Sequence, residues 1–140
     1  MIIDTHTHLD FPDYRKDIDE VIGRAKRVGV EYFINVGVSV QSSKRSIELA
    51  KRYSQFFASA GIHPNEASKV SEEDWSCLES LAASEKVIAI GETGLDYYRE
   101  RSSQHDQKKL FHRHLELARK LSLPVIIHNR DASSDCLEIL

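Results

Sequence analysis

The sequence has few of the features that mark several classes of protein. Its two cysteines, Cys77 and Cys136, stand far apart and form no CxxC pair, so we expect reduced thiols rather than a disulfide. No apolar run is long enough to span a bilayer, and no basic segment precedes an apolar stretch at the start. These absences predict a cytoplasmic protein without a membrane partner.

Neither sign of charge predominates in the sequence. The formal net charge is −3 over 140 residues, so the molecule as a whole shows no electrostatic preference for nucleic acid. The hydrophobic fraction of 41% and the charged fraction of 29% are those of a globular protein, which excludes a disordered or fibrous chain. The length predicts a single domain over residues 1–140.

Short apolar segments alternate five times with amphipathic ones, and no linker separates them. The predicted strands are 1–6, 31–38, 56–63, 86–92 and 123–128. The predicted helices cover 14–28 and roughly 42–53, and others begin at Ser71, near Ser103 and after Asp131. This order predicts an α/β protein with a parallel sheet, either doubly wound or part of a (β/α)₈ barrel.

A glycine-rich phosphate loop is missing after the first predicted strand, where a doubly wound dinucleotide fold would need it. The segment "THTHLDF" stands there instead. Polar clusters also follow other strands, in "GIHP", "GETGLD" and "IHNRD". Function gathers at the carboxyl ends of barrel strands, so we favour a (βα)₅ portion of a TIM barrel whose fifth helix is cut off at Leu140.

His6 and His8 form an HxH pair at the end of the first predicted strand. Side chains two apart in a strand point to the same face, so both imidazoles can bind one ion such as zinc. Taken alone, the same pair is more typical of solvated or hydrogen-bonded histidines at a strand end. The motif alone leaves both interpretations open.

Glu92 and His128 strengthen the metal interpretation. Each lies at the end of a strongly apolar strand. A carboxylate buried at such a position needs a cation or hydrogen-bond donors. A Glu92 paired with a lysine, or a structural His128, would satisfy each position by itself. Together with His6 and His8, however, they lie at the same edge of one parallel sheet, which predicts a metal site.

Several segments, taken together, resemble the TatD family of metal-dependent deoxyribonucleases, within the amidohydrolase-like TIM-barrel hydrolases. They are "IDTHTHLD", "NVGV", "GIHP", "AIGETGLDYY" and "QKKLFHRHLELARKLSLPVIIHNRDA". The resemblance runs from residue 2 to the end of the sequence. It implies hydrolysis of DNA phosphodiester bonds, as a 3′-5′ exonuclease or DNase, with two divalent ions (Mg, Mn or Zn) that activate water.

The resemblance also assigns residues. His6 and His8 match the metal pair of the family's first strand, Glu92 matches a carboxylate that can bridge two ions, and His128 matches a ligand of the second ion.

Three further residues are expected around that site. His63 and Arg130 match positions near the substrate phosphate. Asp96 in "GLDYY" could hold a loop or a ligand. For Arg130 an ion pair with Asp131 or Asp135 is the structural alternative. His63 could instead shape the loop before Pro64, and Asp96 could be a turn residue.

The family's remaining ligands have no counterpart before Leu140. The resemblance implies a later histidine and an aspartate in a "TDxP" segment that also acts as the base, so no catalytic residue can be assigned here. We therefore expect a fragment of a longer protein, or self-association through an open sheet edge. We also expect residues 1–140 alone to bind metal weakly and to show little nuclease activity.

Two alternatives to a DNase remain open at this stage. The same barrel and ligands could serve a metal-dependent deacylase or a small-molecule amide or ester hydrolase, because fold does not fix substrate. The chain could also be an inactive, truncated metal-binding remnant.

Overall fold

A computed structural model describes all 140 residues, and its strands follow the predicted order. The strands are β1 (Ile2–Thr7), β2 (Val30–Asn35), β3 (Phe56–Ala60), β4 (Val87–Asp96) and β5 (Val125–Arg130). They form one parallel sheet in the order β1-β2-β3-β4-β5. The strand order never reverses, as it does in a doubly wound sheet. The predicted barrel portion is confirmed, and β1 and β5 are its two open edges.

Five α-helices connect or follow the strands. They are α1 (Ile18–Arg27), α2 (Val40–Arg52), α3 (Glu72–Ala82), α4 (Gln104–Leu121) and α5 (Ser133–Ile139). Short 3-10 helices cover Pro12–Tyr14 and Pro64–Lys69. None of the helices combines the length and the apolar character needed to cross a membrane.

The fifth helix lies where the sequence predicts it and reaches the last residues of the chain. The helix α5 ends at Ile139, and Leu140 follows it as the C-cap residue. The backbone N–H of Leu140 still donates to the carbonyl oxygen of Cys136 at 3.3 Å, so this residue closes the last turn. Its side chain is exposed.

Serine caps explain where several helices begin. The Ser71 hydroxyl accepts the backbone N–H of Asp74 at 3.1 Å, and the Asp74 carboxylate accepts the backbone N–H of Ser71 at 3.0 Å. This capping box confirms the predicted start of α3. The Ser103 hydroxyl likewise accepts from Asp106 at 3.1 Å at the start of α4. By contrast, the predicted helix 14–28 begins only at Ile18, because Pro12 starts a separate 3-10 turn before it.

The ends of the strands differ from the sequence prediction. β2 ends at Asn35 and β3 at Ala60, earlier than predicted, whereas β4 continues to Asp96 and β5 to Arg130. After β3 the chain passes so close to β4 that a Cβ on Gly61 would lie 2.2 Å from the backbone of Gly91. His63 lies beyond the end of β3 and is the N-cap of the 3-10 helix that follows.

The hydrophobic core lies between the sheet and the helices. Phe33 of β2 stacks on Phe56 of β3 with ring centroids 4.7 Å apart, and Trp75 and Leu78 bring α3 onto the same core. A smaller cluster joins β4, α4 and α5 and consists of Leu95, Phe111, Ala132 and Cys136. Cys136 is buried and Cys77 is exposed, and both are free thiols, as predicted.

Candidate metal centre

The polar side chains at the strand ends meet in one cleft of about 600 Å³. His6 lies in β1, His8 directly follows it, Glu92 lies in β4 and His128 in β5. Neighbouring strands are about 4.8 Å apart, so β1 and β4 would be separated by roughly 14 Å in a flat sheet. Yet Nε2 of His6 is 3.7 Å from Oε2 of Glu92. The curvature of the sheet, as in a barrel wall, therefore brings the site together.

Glu92 is the centre of this arrangement. Its Oε2 lies 3.7 Å from Nε2 of His6 and 4.0 Å from Nε2 of His8. Its Oε1 lies 3.1 Å from Nδ1 of His128. The two oxygens of one carboxylate thus face two different groups of imidazoles. Glu92 is 8% exposed, and each of its oxygens would be available to a cation on its own side.

His8 is held so that one ring nitrogen is free. Its Nδ1 is 3.0 Å from the carbonyl oxygen of Val36, so Nδ1 carries the proton and donates it there. In the neutral ring Nε2 then keeps its lone pair, and this atom faces Glu92. Phe11 stacks on the other side of the ring, with centroids 5.0 Å apart. This orientation is the one that a metal-ligating histidine needs.

His128 lies between two carboxylates. While Nδ1 faces Glu92, Nε2 is 3.1 Å from Oδ2 of Asp96. With an ion at Nδ1, the Nε2 proton would be donated to Asp96, which is the carboxylate–histidine–metal arrangement. The other Asp96 oxygen accepts the backbone N–H of Arg99 at 3.0 Å. Asp96 therefore does both of the things considered for it from the sequence: it contacts a candidate ligand and it holds its own turn.

Two groups of side chains satisfy the spacing of a metal site. They are His6, His8 and Glu92 in one group and His63, Glu92 and His128 in the other, each with potential ligand atoms within 4.8 Å of one another. His63 differs chemically from the rest, because its Nδ1 accepts the backbone N–H of Asn65 at 3.1 Å. The neutral ring then carries its proton on Nε2, which makes His63 a donor toward the cleft rather than a ligand.

The charged forms of Glu92 and His128 stabilise each other. Burial alone would raise the pKa of Glu92, but the hydrogen bond with His128 and the fields of His63 and His6 hold that pKa below its usual value. The hydrogen bond with Glu92 raises the pKa of His128 against the effect of burial. Burial and then the nearby His128 lower the pKa of His63. The site at neutral pH thus has an ionised Glu92 and an uncharged His63.

A catalytic base could not be assigned before Leu140 from the sequence, and this stays a prediction. Two carboxylates line the cleft, Glu92 and Glu66. Glu92 faces the imidazoles on both sides, and Glu66 accepts from the ammonium group of Lys69 at 3.1 Å. Because both carboxylates have partners of their own, the cleft gives no reason to assign the base to either of them.

Arg99 and Arg101 supply positive charge at the mouth of the cleft, in the loop that follows β4. From the sequence, this role was expected of Arg130 instead. The Arg130 guanidinium lies 3.9 Å from the ring centroid of Tyr98 and does not line the cleft. Neither aspartate considered as its partner pairs with it, and Asp135 binds Lys108 and Tyr97.

Other residues of the cleft were missed in the sequence, Phe11 and Asn65 among them. The Asn65 Oδ1 is buried without a hydrogen-bond partner. The sequence could have suggested Asn65, because this residue directly follows the polar segment "GIHP". Nothing in the sequence pattern distinguishes Phe11 from an ordinary core aromatic residue.

Comparison with known proteins gives the family. The family model described as "TatD related DNase" matches residues 3–140. The metal-dependent hydrolase YabD of Bacillus subtilis is 43% identical over 140 residues, which is 100% of this chain and 55% of YabD. A 3′-5′ ssDNA/RNA exonuclease TatD of Cronobacter turicensis is 37% identical over 139 residues, covering 99% of this chain and 53% of that protein.

Solved structures agree with this result. The TatD homologue YJJV of Escherichia coli K12 superposes with a TM-score of 0.92 at 32% identity, covering 98% of this chain and 54% of that one. A TatD family hydrolase of Entamoeba histolytica gives a TM-score of 0.91 at 28% identity, over 99% of this chain and 52% of that one. Fold and relatives together place the chain in a class of TIM-barrel proteins whose members named here are hydrolases and nucleases.

The chain belongs to the TatD-related DNase family, so the predicted resemblance is confirmed. It spans about half the length of the relatives that it matches. Metal dependence is part of the name of the Bacillus relative, and the His and Glu groups of the cleft fit such a dependence.

Proposed function

We propose that this chain forms the metal-binding half of a hydrolase that removes nucleotides from the 3′ end of single-stranded DNA. Two divalent cations (Mg, Mn or Zn) would be held by His6, His8, Glu92 and His128. The observation that carries the proposal is the position of Glu92, whose two oxygens face His6 and His8 on one side and His128 on the other.

The side chains around the candidate ligands favour a phosphodiester as substrate. The Nε2 proton of His63 and the guanidinium groups of Arg99 and Arg101 border the same cleft. All three groups are hydrogen-bond donors, and the two guanidinium groups are cations. Such groups suit an anionic phosphate better than an amide or a carboxylic ester. The Cronobacter relative, named as a 3′-5′ ssDNA/RNA exonuclease, supports this choice.

Each residue would have a limited task. Bound cations would supply Lewis acidity and a water of lowered pKa. Ionised Glu92 would neutralise the cations, and His8, fixed by Val36, would keep its free nitrogen toward them. His63 would donate a proton in a hydrogen bond to a phosphate oxygen, while Arg99 would add charge at the mouth.

Isothermal titration of the purified chain with Mn²⁺ or Zn²⁺ tests the metal site. Removing a residue that hydrogen-bonds to a metal ligand lowers metal affinity by about 10–100-fold. Glu92 is itself a candidate ligand, so we expect Glu92→Gln to lower the affinity by at least that factor. Glu116→Gln, an exposed change on α4, is the matched control and should bind like the wild type. Equal affinities for Glu92→Gln and the wild type would contradict the proposal.

Binding of a labelled single-stranded oligonucleotide in the presence of Mn²⁺ tests the substrate class. The double variant Arg99→Gln/Arg101→Gln should bind more weakly and with a flatter salt dependence, by roughly 0.7 in log–log slope for each phosphate that is no longer neutralised. Arg119→Gln at the exposed end of α4 is the control. Unchanged affinity and salt dependence in Arg99→Gln/Arg101→Gln would contradict the phosphodiester assignment.

A further inference from the structure

Asn35, the last residue of β2, has an unusually complete set of partners. Its side chain is fully buried, with 0% exposure. The amide oxygen accepts the backbone N–H of Leu9 at 2.6 Å and the hydroxyl of Thr7 at 3.2 Å. The amide nitrogen donates to Asp10 at 2.8 Å and to Ser46 at 2.7 Å. All four hydrogen-bonding positions of the amide are thus used.

Asp10 fixes which way this amide points. One Asp10 oxygen accepts from Asn35 at 2.8 Å, and the other accepts the Ser42 hydroxyl at 2.8 Å, with Arg45 at 3.7 Å. A carboxylate can only accept, so the nitrogen of Asn35 must face Asp10. The oxygen of Asn35 must then face the Leu9 N–H.

The residues that Asn35 binds lie immediately on either side of His8. Thr7 precedes it and Leu9 follows it. Val36, which directly follows β2, binds the same segment. Its backbone N–H donates to the Thr7 carbonyl oxygen at 2.7 Å, and its carbonyl oxygen accepts from Nδ1 of His8 at 3.0 Å. One buried amide therefore sets the backbone that carries the first pair of candidate ligands.

We infer that Asn35 and Asp10 form a positioning pair that presets His6 and His8 for metal binding. Neither residue lines the cleft, so the pair acts through the backbone around His8 and not by contact with an ion. Residues that orient ligands typically change metal affinity by about 10–100-fold when they are removed. The inference rests on the metal site proposed above.

A charge swap tests the pair. In Asn35→Asp the new carboxylate faces Asp10, so we expect repulsion and a loss of metal affinity of about tenfold or more, measured by titration with Zn²⁺. In the double variant Asn35→Asp/Asp10→Asn the donor and the acceptor change places, and most of the lost affinity should return. Asn129→Asp is the matched control, because the exposed Asn129 side chain of β5 hydrogen-bonds only to the Ser133 hydroxyl.

A second variant controls for a folding defect. Thr7→Val has nearly the same shape and removes the Thr7 hydroxyl from Asn35 and from the Ile34 carbonyl, so it should fold and lose affinity by a smaller factor. A purely structural role predicts a different result, in which melting temperatures fall but the folded variants bind Zn²⁺ like the wild type. That result would overturn the inference.

A metal-free measurement separates this inference from the proposed function. ¹⁵N NMR of the imidazoles should show His8 with its proton on Nδ1 in the wild type and the swapped variant, and a mixture of tautomers in Asn35→Asp. A wild type that binds no Zn²⁺ would refute the proposed function. An unchanged His8 tautomer in Asn35→Asp would refute the positioning pair.

Discussion

At the scale of single residues, the role of each histidine follows from the hydrogen bond on the far side of its ring. His8 donates to a carbonyl and keeps a lone pair for a cation, whereas His63 accepts from a backbone N–H and keeps a proton for an anion. The sequence singles out both residues through "THTH" and "GIHP". It could not show this difference, since the Val36 carbonyl and the Asn65 amide are placed only by the folded chain.

A buried histidine outside the site gives a pH prediction. Burial lowers the pKa of His114 from 6.5 to about 4, while its Nε2 accepts the backbone N–H of Ile62. The unfolded chain binds the proton more readily between these two values, so stability must fall as the pH decreases through that range. At about 1.4 kcal/mol per pKa unit, the loss approaches roughly 3 kcal/mol near pH 4.

Urea unfolding at a series of pH values checks this prediction. His114→Gln should lose less stability than the wild type between neutral pH and about pH 4, because glutamine does not titrate. His112→Gln, at an exposed position of the same helix, should follow the wild type. A His114→Gln curve parallel to that of the wild type would show that this histidine does not set the acid sensitivity.

At the scale of elements, local signals were sufficient to predict strand order and the serine-capped starts of α3 and α4, but not the start of α1 or the strand ends. The Ser71 capping box involves residues three apart, so the sequence displays it directly. Directly after the end of β3, Gly61 passes close to Gly91, and these residues are far apart in the chain. Asn35 is a similar case, because its partner Leu9 lies in the loop after another strand and "INVGV" looks like an ordinary strand.

The Gly61 contact can be tested by adding one methyl group. Gly61→Ala should destabilise the protein by about 3 kcal/mol or more, since the new Cβ would lie 2.2 Å from backbone atoms that cannot move aside freely. Gly23→Ala is the matched control, because its Cβ would meet nothing closer than the end of Arg27 at 3.7 Å. That control should stabilise α1 by roughly 0.5–1 kcal/mol. Equal unfolding midpoints for the two variants would contradict the close passage of the strands.

At the scale of the whole molecule, the sheet has two unpaired edges. β1 exposes Ile2 and Ile3, with 52% and 46% of their surface accessible, and β5 exposes Ile127 with 38%. Unpaired backbone groups beside apolar side chains favour strand pairing with another chain. We propose that the chain associates with itself through these edges, as the sequence already predicted.

Sedimentation velocity over a range of concentrations tests the edges. Ile127→Lys should shift the chain toward the monomer, because a charged side chain on an edge strand opposes pairing. Val28→Lys, at an exposed apolar residue that follows α1 and lies outside the strands, should leave the association unchanged. Identical sedimentation of the wild type and Ile127→Lys would rule out association through β5.

The length of the chain bears on activity at this scale. Since it spans about half of its relatives and no base is assigned before Leu140, we expect residues 1–140 alone to bind Mn²⁺ weakly and to release few nucleotides from single-stranded DNA. The measurement is nucleotide release with and without a chelator. Robust release that a chelator abolishes would contradict this expectation.

The central claim is that Glu92 joins two groups of histidines into one metal centre. Anomalous diffraction from crystals of the chain grown with Mn²⁺ tests it most directly. We predict one peak between Glu92 and the pair His6 and His8, and a second peak between Glu92 and His128. Peaks that lie elsewhere, or a cleft that stays free of anomalous density at saturating Mn²⁺, would contradict it.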